Sequence, residues 1–234
     1  MDRHQIFFNS MKTYDDLGLI VLDRKISTPS KIKIKETVPF MNGSYDFSNL
    51  YGTNCYPERT LEYTFKLKSA NIIGLEFFKT RIINWVNNTN SKEKLEETFL
   101  PGYYYMAECS NIDFEEFYTL GKLKVIFNAY PFKIAEKEEG NNLWDDFNFE
   151  LDILQDTKFE FSGTKDVVLH NLGGKEVVPE IICDSDFEII KNNITYKIKS
   201  GTTKDSVFTL DIGANNLVLK GNGKIEFKFR KELL

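Results

Sequence analysis

Few residues of this chain can carry nucleophilic or acid–base chemistry at neutral pH. It has two histidines, His4 and His170, and three cysteines, Cys55, Cys109 and Cys183. The cysteine count is odd, the spacings are wide and no Cys-x-x-Cys occurs, which reads as free thiols in a reducing compartment. His4 lies in a terminal segment expected to be mobile. His170 stands beside Asn171 in a turn-like stretch, and neither histidine has a paired nucleophile or base in a recognisable pattern. Glycine-rich phosphate loops are missing: there is no Gly-x-Gly-x-x-Gly and no Gly-x-x-x-x-Gly-Lys-Ser/Thr. The acidic pairs Asp145/Asp146 and Asp184/Asp186 lack the dense oxygen ligands and the fixed glycine of a calcium loop, and read as solvated turns. The expectation is a protein that is not an enzyme and uses no cofactor or metal.

Charge of one sign is also scarce. The formal net charge is −5, with basic residues scattered among acidic ones. No lysine or arginine cluster is long enough to neutralise a phosphate track, which disfavours nucleic-acid recognition. The longest apolar runs are far short of a membrane span. Met1-Asp2-Arg3-His4-Gln5 does not begin a charged-then-apolar leader, so no export signal is expected. The Asn-x-Ser/Thr triplets at Asn42, Asn87 and Asn193 are then attributed to chance. These absences describe a soluble protein made in the cytoplasm.

Aromatics, by contrast, are plentiful, with 20 Phe and 11 Tyr. Aromatic side chains suit pleated, half-buried surfaces and tilt the class toward β. Leu61, Tyr63, Phe65 and Leu67 alternate with Thr60, Glu62, Thr64 and Lys66, the period of a half-buried strand. Lys31-Ile32-Lys33-Ile34-Lys35 alternates too and reads as a strand with a lysine face, suited to an edge. Together the two segments predict a long two-stranded arm over about 31–67, with the Asn42-Gly43 turn in its connection. Leu75, Phe78, Ile82, Trp85 and Val86 recur at helical spacing and predict one amphipathic helix over about 72–87, with Trp85 in the core. Strands are expected at Leu95–Leu100, Tyr103–Glu108 and Lys122–Ala129, with Pro101-Gly102 as a turn. The polar stretch from Ala135 to Asn142 is the candidate linker. Beyond it, strands are expected near Phe147–Ile153, Lys158–Ser162, Val178–Asp184, Glu188–Ile190, Ile194–Ile198, Val207–Asp211, Asn216–Lys220 and Lys224–Arg230. Turns are expected at Gly173-Gly174, Lys191-Asn192-Asn193, Gly213-Ala214-Asn215 and Gly221-Asn222-Gly223. So many short strands indicate a sandwich or barrel.

The wording of one segment goes further than its periodicity. Phe40-Met41-Asn42-Gly43-Ser44-Tyr45-Asp46-Phe47-Ser48, followed by Tyr56-Pro57-Glu58-Arg59-Thr60-Leu61-Glu62-Tyr63, resembles the N-terminal signature of the distal tail proteins of long-tailed bacteriophages. Leu100-Pro101-Gly102-Tyr103-Tyr104, Phe127-Asn128-Ala129-Tyr130-Pro131-Phe132, Asn171-Leu172-Gly173-Gly174 through Ile181, and Gly213-Ala214-Asn215 with Ile225–Arg230 are similar to later pieces of that family, in its order. This chain departs from the pattern at Met41-Asn42, where the family often has a basic residue. It also has no room for the inserted carbohydrate-binding modules of larger relatives.

The resemblance implies a fold that is mainly β with one helix. Residues 1–139 would be an N-terminal, ring-forming, β-sandwich-like domain with a long β-hairpin arm. Residues 140–234 would be a galectin-like β-sandwich, whose last strand could return to the first domain. It implies a homo-hexamer at the virion tail tip, made in the host bacterial cytoplasm. That ring would join the tail tube protein to a tail-associated hub or lysin-type protein, and to receptor-binding parts. Lys31, Lys33, Lys35, Asn42, Gly43, Ser44, Asp46, Arg59 and Glu62 are the candidate interface residues. The alternative is a stand-alone carbohydrate-binding or adhesin-like sandwich, with Tyr103, Tyr105 or Trp144 as a sugar-stacking platform. A third reading is the hub of a contractile tail or a phage-derived bacteriocin.

Overall fold

The computed structural model of the chain describes residues 4–48, 50, 54–69, 71–117, 120–141 and 148–234. Backbone contacts divide it into two compact units, 1–133 with Leu234 and 134–233. The fold is mainly β with one helix, as expected from the alternating aromatics.

The first unit contains β1 (Ile6–Phe8), β2 (Met11–Lys12), β3 (Ile20–Ile26), β4 (Lys35–Glu36), β5 (Tyr45–Asp46), β6 (Arg59–Lys68), α1 (Ile72–Asn87), β7 (Glu93–Glu97), β8 (Tyr103–Phe117) and β9 (Leu120–Ala129). Its main sheet runs β2-β1-β7-β8-β9-β6-β3, antiparallel throughout. The alternation in β6 puts Arg59, Leu61, Tyr63, Phe65 and Leu67 into the interior, and turns Thr60, Lys66 and Lys68 to solvent. The sheet curls over its own core. Phe8 of β1 meets Phe127 of β9 with ring centres 5.0 Å apart. Arg24 of β3, at one edge, reaches Glu97 of β7, near the other.

The helix follows from local chemistry as well as from its apolar face. The Asn71 side chain accepts from Gly74 N at 2.7 Å, an N-cap that satisfies an orphan donor. Leu75, Ile82, Trp85 and Val86 are buried. Trp85 Nε1 donates to Phe8 O at 2.8 Å. At the other end Asn9 Nδ2 donates to Trp85 O at 2.7 Å and Asn88 O at 3.3 Å, satisfying carbonyls that the helix leaves open. Trp85 therefore packs in the core, as its periodicity predicted.

One expectation is corrected here. The strand 61–67 is not the returning limb of the arm but lies centrally, between β3 and β9. The apolar stripe decides this, because four buried apolar side chains need a core on their face, and a projecting arm has none. The arm is instead the excursion from Ser27 to Glu58 between β3 and β6. Of the expected strand Lys31–Lys35, only Lys35 enters a ladder, as part of β4 with β5.

The second unit contains β10 (Lys133–Ala135, whose first residue closes the first unit), β11 (Lys158–Asn171), β12 (Glu180–Cys183), β13 (Phe187–Lys191), β14 (Ile194–Ile198), β15 (Gly201–Thr203), β16 (Gly213–Lys228) and β17 (Glu232–Leu233). The sheet order is β14-β13-β16-β12-β15, with β11 along the other side of β16. Two strands expected near Asn216–Lys220 and Lys224–Arg230 are one strand. Its first half pairs β13 as far as Phe187↔Gly221, and its end pairs β12 from Cys183↔Ile225. Gly221 and Gly223 have positive φ, and a Cβ there would collide with the Phe187 ring and the Asp184 carboxylate. The glycines bend a continuous strand from one partner to the next, where the sequence suggested a turn. The expected turn at Gly213-Ala214-Asn215 is likewise the start of β16.

Two more expected strands are missing. Val207–Asp211 makes a single bridge, Val177↔Leu210, because Asp205 draws the chain into a turn with Val207 N on its carboxylate at 3.1 Å. Residue 147 lies outside the described residues. Residues 148–153 fold around Asn148, whose Oδ1 accepts from Glu150 N at 3.0 Å and whose carbonyl accepts from Asp152 N at 2.8 Å. The polar stretch read as a linker is bound to its own unit, through Glu139 N to Phe229 O at 2.9 Å. Among the described residues no helix is long and apolar enough to cross a membrane.

Candidate functional site

The arm is held as a ribbon by a few bonds along its length. Ser27 N donates to Thr60 O at 2.9 Å, and Thr60 N returns to Ser27 Oγ at 2.7 Å, closing the base. Ile32 N reaches Cys55 O at 2.9 Å, and Phe47 N reaches Ile34 O at 2.8 Å. At the tip Lys35 pairs Asp46 and Glu36 pairs Tyr45. The tip turns at 38–41, where Met41 N donates to Val38 O at 3.1 Å; Asn42 and Gly43, expected to form the turn, only bend the chain beyond it, with Gly43 at φ +96°, a conformation glycine adopts without steric cost. Ser48 fixes Asp46: its hydroxyl and backbone N–H hold that carboxyl below the usual range, and Lys33 Nζ lies 3.7 Å away.

What the arm exposes is apolar. Ile32, Ile34, Val38, Phe40, Tyr45, Phe47 and Leu50 are all exposed, and Phe40 is fully so. Scattered exposed apolar residues are ordinary, but seven on one slender ribbon make a contact surface. Lys31, Lys33, Lys35, Asn42, Gly43, Ser44 and Asp46 share this arm and are exposed with it. Arg59 and Glu62 do not: they sit on β6, where Glu62 pairs with Lys124 at 2.9 Å and Arg59 is only 4 % exposed. The apolar members went unnoticed in the sequence, although Val38-Pro39-Phe40 and Phe47 flanking an Asn-Gly pair are a readable signal.

Tyr103 and Tyr105 are buried, so neither ring offers an open face for stacking a sugar, and Trp144 lies outside the described residues. Asp184 and Asp186 hold turns, accepting Lys224 N at 2.8 Å and Ser200 N at 2.9 Å. Asp145 and Asp146 lie outside the described residues. No cluster of three metal-ligating side chains occurs among the described residues. His4 stacks on Phe99 with ring centres 4.2 Å apart, and His170 lies on β11, where its backbone N and O bond the Gln155 side chain at 2.9 Å each.

A second feature had no sequence signal. Glu97, with a fully buried side chain, receives Arg24 through both guanidinium arms and Tyr63 OH at 2.9 Å. Arg59 lies nearby with its Cζ 5.4 Å from the Tyr105 ring centre. Its Nε and Nη2 are buried without a hydrogen-bond partner. Lys133 completes the group: burial lowers its pKa first, and Arg59 and Arg24 lower it further. Burial, and then the Glu97 charge, push the Tyr63 phenol well above the ordinary tyrosine range. Because the folded pKa is raised, the stabilisation from neutral Tyr63 is complete below the unfolded value near ~10 and is lost as pH climbs above it. Alkaline unfolding is therefore expected to be shallower in Tyr63→Phe than in the parent, followed by circular dichroism between neutral pH and strong alkali. Parallel curves would remove Tyr63 from the account.

No family model matches the chain, and no curated protein matches it. Among solved structures it is similar to SPP1 Dit (gp 19.1), described as a paradigm of the hub adsorption apparatus in phages infecting Gram-positive bacteria. The two chains align over 100 % of both lengths with a TM-score of 0.68 and 12 % identity. From end to end, this chain has the fold of that phage hub protein, the fold its resemblance to distal tail proteins predicts.

Proposed function

We propose that the chain is a non-enzymatic structural component of a phage tail tip, forming a hexameric ring that couples the tail tube to the tail-associated hub protein and the host-recognition parts. The observation that carries this reading is the arm, a ribbon whose apolar side chains have no core of their own. Burying apolar surface contributes roughly 25 cal/mol per Å², so such a ribbon gains stability by lying on another copy. A head-to-tail contact of this kind repeats until it closes, and a closed ring is rigid. Lys31, Lys33, Lys35 and Asp46 would set register more than affinity, since exposed charges steer association. The end-to-end likeness to a hub protein supports the same reading. In it, the second unit serves as a galectin-like platform on the ring's periphery, with direct receptor binding left to other parts.

Light scattering on the full chain tests this, alongside a variant in which 31–55 is replaced by a short Gly-Ser turn joining Ser30 to Tyr56. The parent is expected to show a species near six times the 27.2 kDa chain mass, alone or in equilibrium with monomer. The variant is expected to be monomeric with unchanged circular dichroism, since 31–48 contribute no buried side chain to the core. A parent that stays monomeric at high concentration, alone and with tail tube protein, would point to a stand-alone binding module instead.

A further inference from the structure

The buried charges beneath β6 do not balance. Among the described residues Lys133 feels the charges of Arg59, Arg24 and one carboxylate, Glu97, whose oxygens are already taken by Arg24 and by Tyr63 OH. Arg59 is 4 % exposed, yet two of its guanidinium nitrogens bond nothing. A buried cation without a counter-ion is strongly unfavourable, and folded proteins satisfy buried donors. The strand pairing fixes Arg59 on that face. It continues the interior stripe of β6, and its cross-strand neighbours are Ala129 and, beyond it, Ala107, both buried and small. With small neighbours along that row, the guanidinium lies over the Tyr105 ring, its Cζ 5.4 Å from the ring centre. Arg24 and Lys133 are half-buried, so the group meets solvent through these two side chains.

We propose that this cluster is an anion site, in which the free guanidinium nitrogens of Arg59, with the Lys133 ammonium, bind one small oxyanion. A guanidinium presents its donors as a planar fork that matches the oxygens of a carboxylate or a phosphate. The ligand is therefore an oxyanion, either free in solution or the tip of an acidic side chain from a second copy. Bound there, it would neutralise the surplus charge and tie Arg59 of β6 to Lys133.

Melting curves of the full chain decide this, in inorganic phosphate against chloride at matched ionic strength, for the parent, Arg59→Met and Lys133→Met. Phosphate stabilises proteins in general by exclusion from their surface, so the readout is the parent's gain beyond that of the variants. The parent is expected to gain about 3–5 °C more than Arg59→Met when phosphate is ten times its dissociation constant. Lys133→Met is expected to keep part of that gain. In chloride, Arg59→Met should melt no lower than the parent, because methionine replaces an unpaired buried charge. Equal phosphate gains in the parent and Arg59→Met overturn the proposal, as does a parent that gains nothing. Light scattering in the same buffers separates the sources. Phosphate that shifts the assembly toward monomer marks the site as one normally filled by a neighbour's carboxylate. An unchanged mass assigns it to a free ion.

Discussion

Glu97→Ala is expected to destabilise the first unit by about 3 kcal/mol, seen as a lower urea midpoint at unchanged slope. Among the described residues Glu97 is the carboxylate that Arg24 pairs with, and its side chain is completely buried. Its removal frees Tyr63 OH from its partner inside the core and leaves Arg24 without a counter-charge. Breaking a buried pair from one side costs about 3–5 kcal/mol, because the remaining charge is uncompensated. Arg24 is 29 % exposed at its side chain and can turn toward water, which places the loss at the low end of that range. Glu97→Gln keeps the volume and one acceptor, so it should lose about half as much. If the alanine variant unfolds at the parental midpoint, the cross-sheet pair contributes nothing and the curl of the sheet rests on apolar packing alone.

Trp85→Ala is expected to cost about 3–5 kcal/mol, the range for deleting a large buried aromatic. The loss combines two effects. The indole fills the space between α1 and β1 and meets Phe8 edge-on, with ring centres 6.2 Å apart. Its Nε1 also donates to Phe8 O, a bond that the alanine removes. Trp85→Phe separates the two: it restores most of the volume and none of the hydrogen bond, so it should recover more than half of the loss. A midpoint for Trp85→Ala within experimental error of the parent would mean that the helix is not anchored by this residue.

The helix was legible because its signals are local, apolar residues recurring at three- and four-residue spacing over about 72–87. Strand β6 was legible as a strand for the same reason, since alternation needs no partner to be visible. Its place was not. Residues 61–67 fit one limb of an arm just as well, because Lys31–Lys35 also alternates, and alternation says that one face is buried without saying against what. The exposed arm and the central strand are told apart only by the pairing of β6 with both β3 and β9. The glycines near the end misled in the opposite sense. Gly221-Asn222-Gly223 has the composition of a turn, yet the chain uses it to bend a continuous strand while the Phe187 ring occupies the space beside Gly221.

The candidate interface divided along the same line. Lys31 to Asp46 stand together because they are neighbours in sequence on one exposed ribbon. Arg59 left that group because the stripe it continues faces inward. Tyr103 and Tyr105 left the sugar-binding reading because alternate residues of β8 face the core. The charge cluster had no trace in the sequence at all: Arg24 and Glu97 are 73 residues apart and meet only because the sheet curls. By itself the sequence determined the periodicities, and so the class and the helix, since each is encoded by residues within a few positions of one another. Tertiary structure alone decided which strand is central, which side chains the arm leaves bare, and where the buried charges gather. Those depend on long-range pairing and on the balance of charge within an enclosed core.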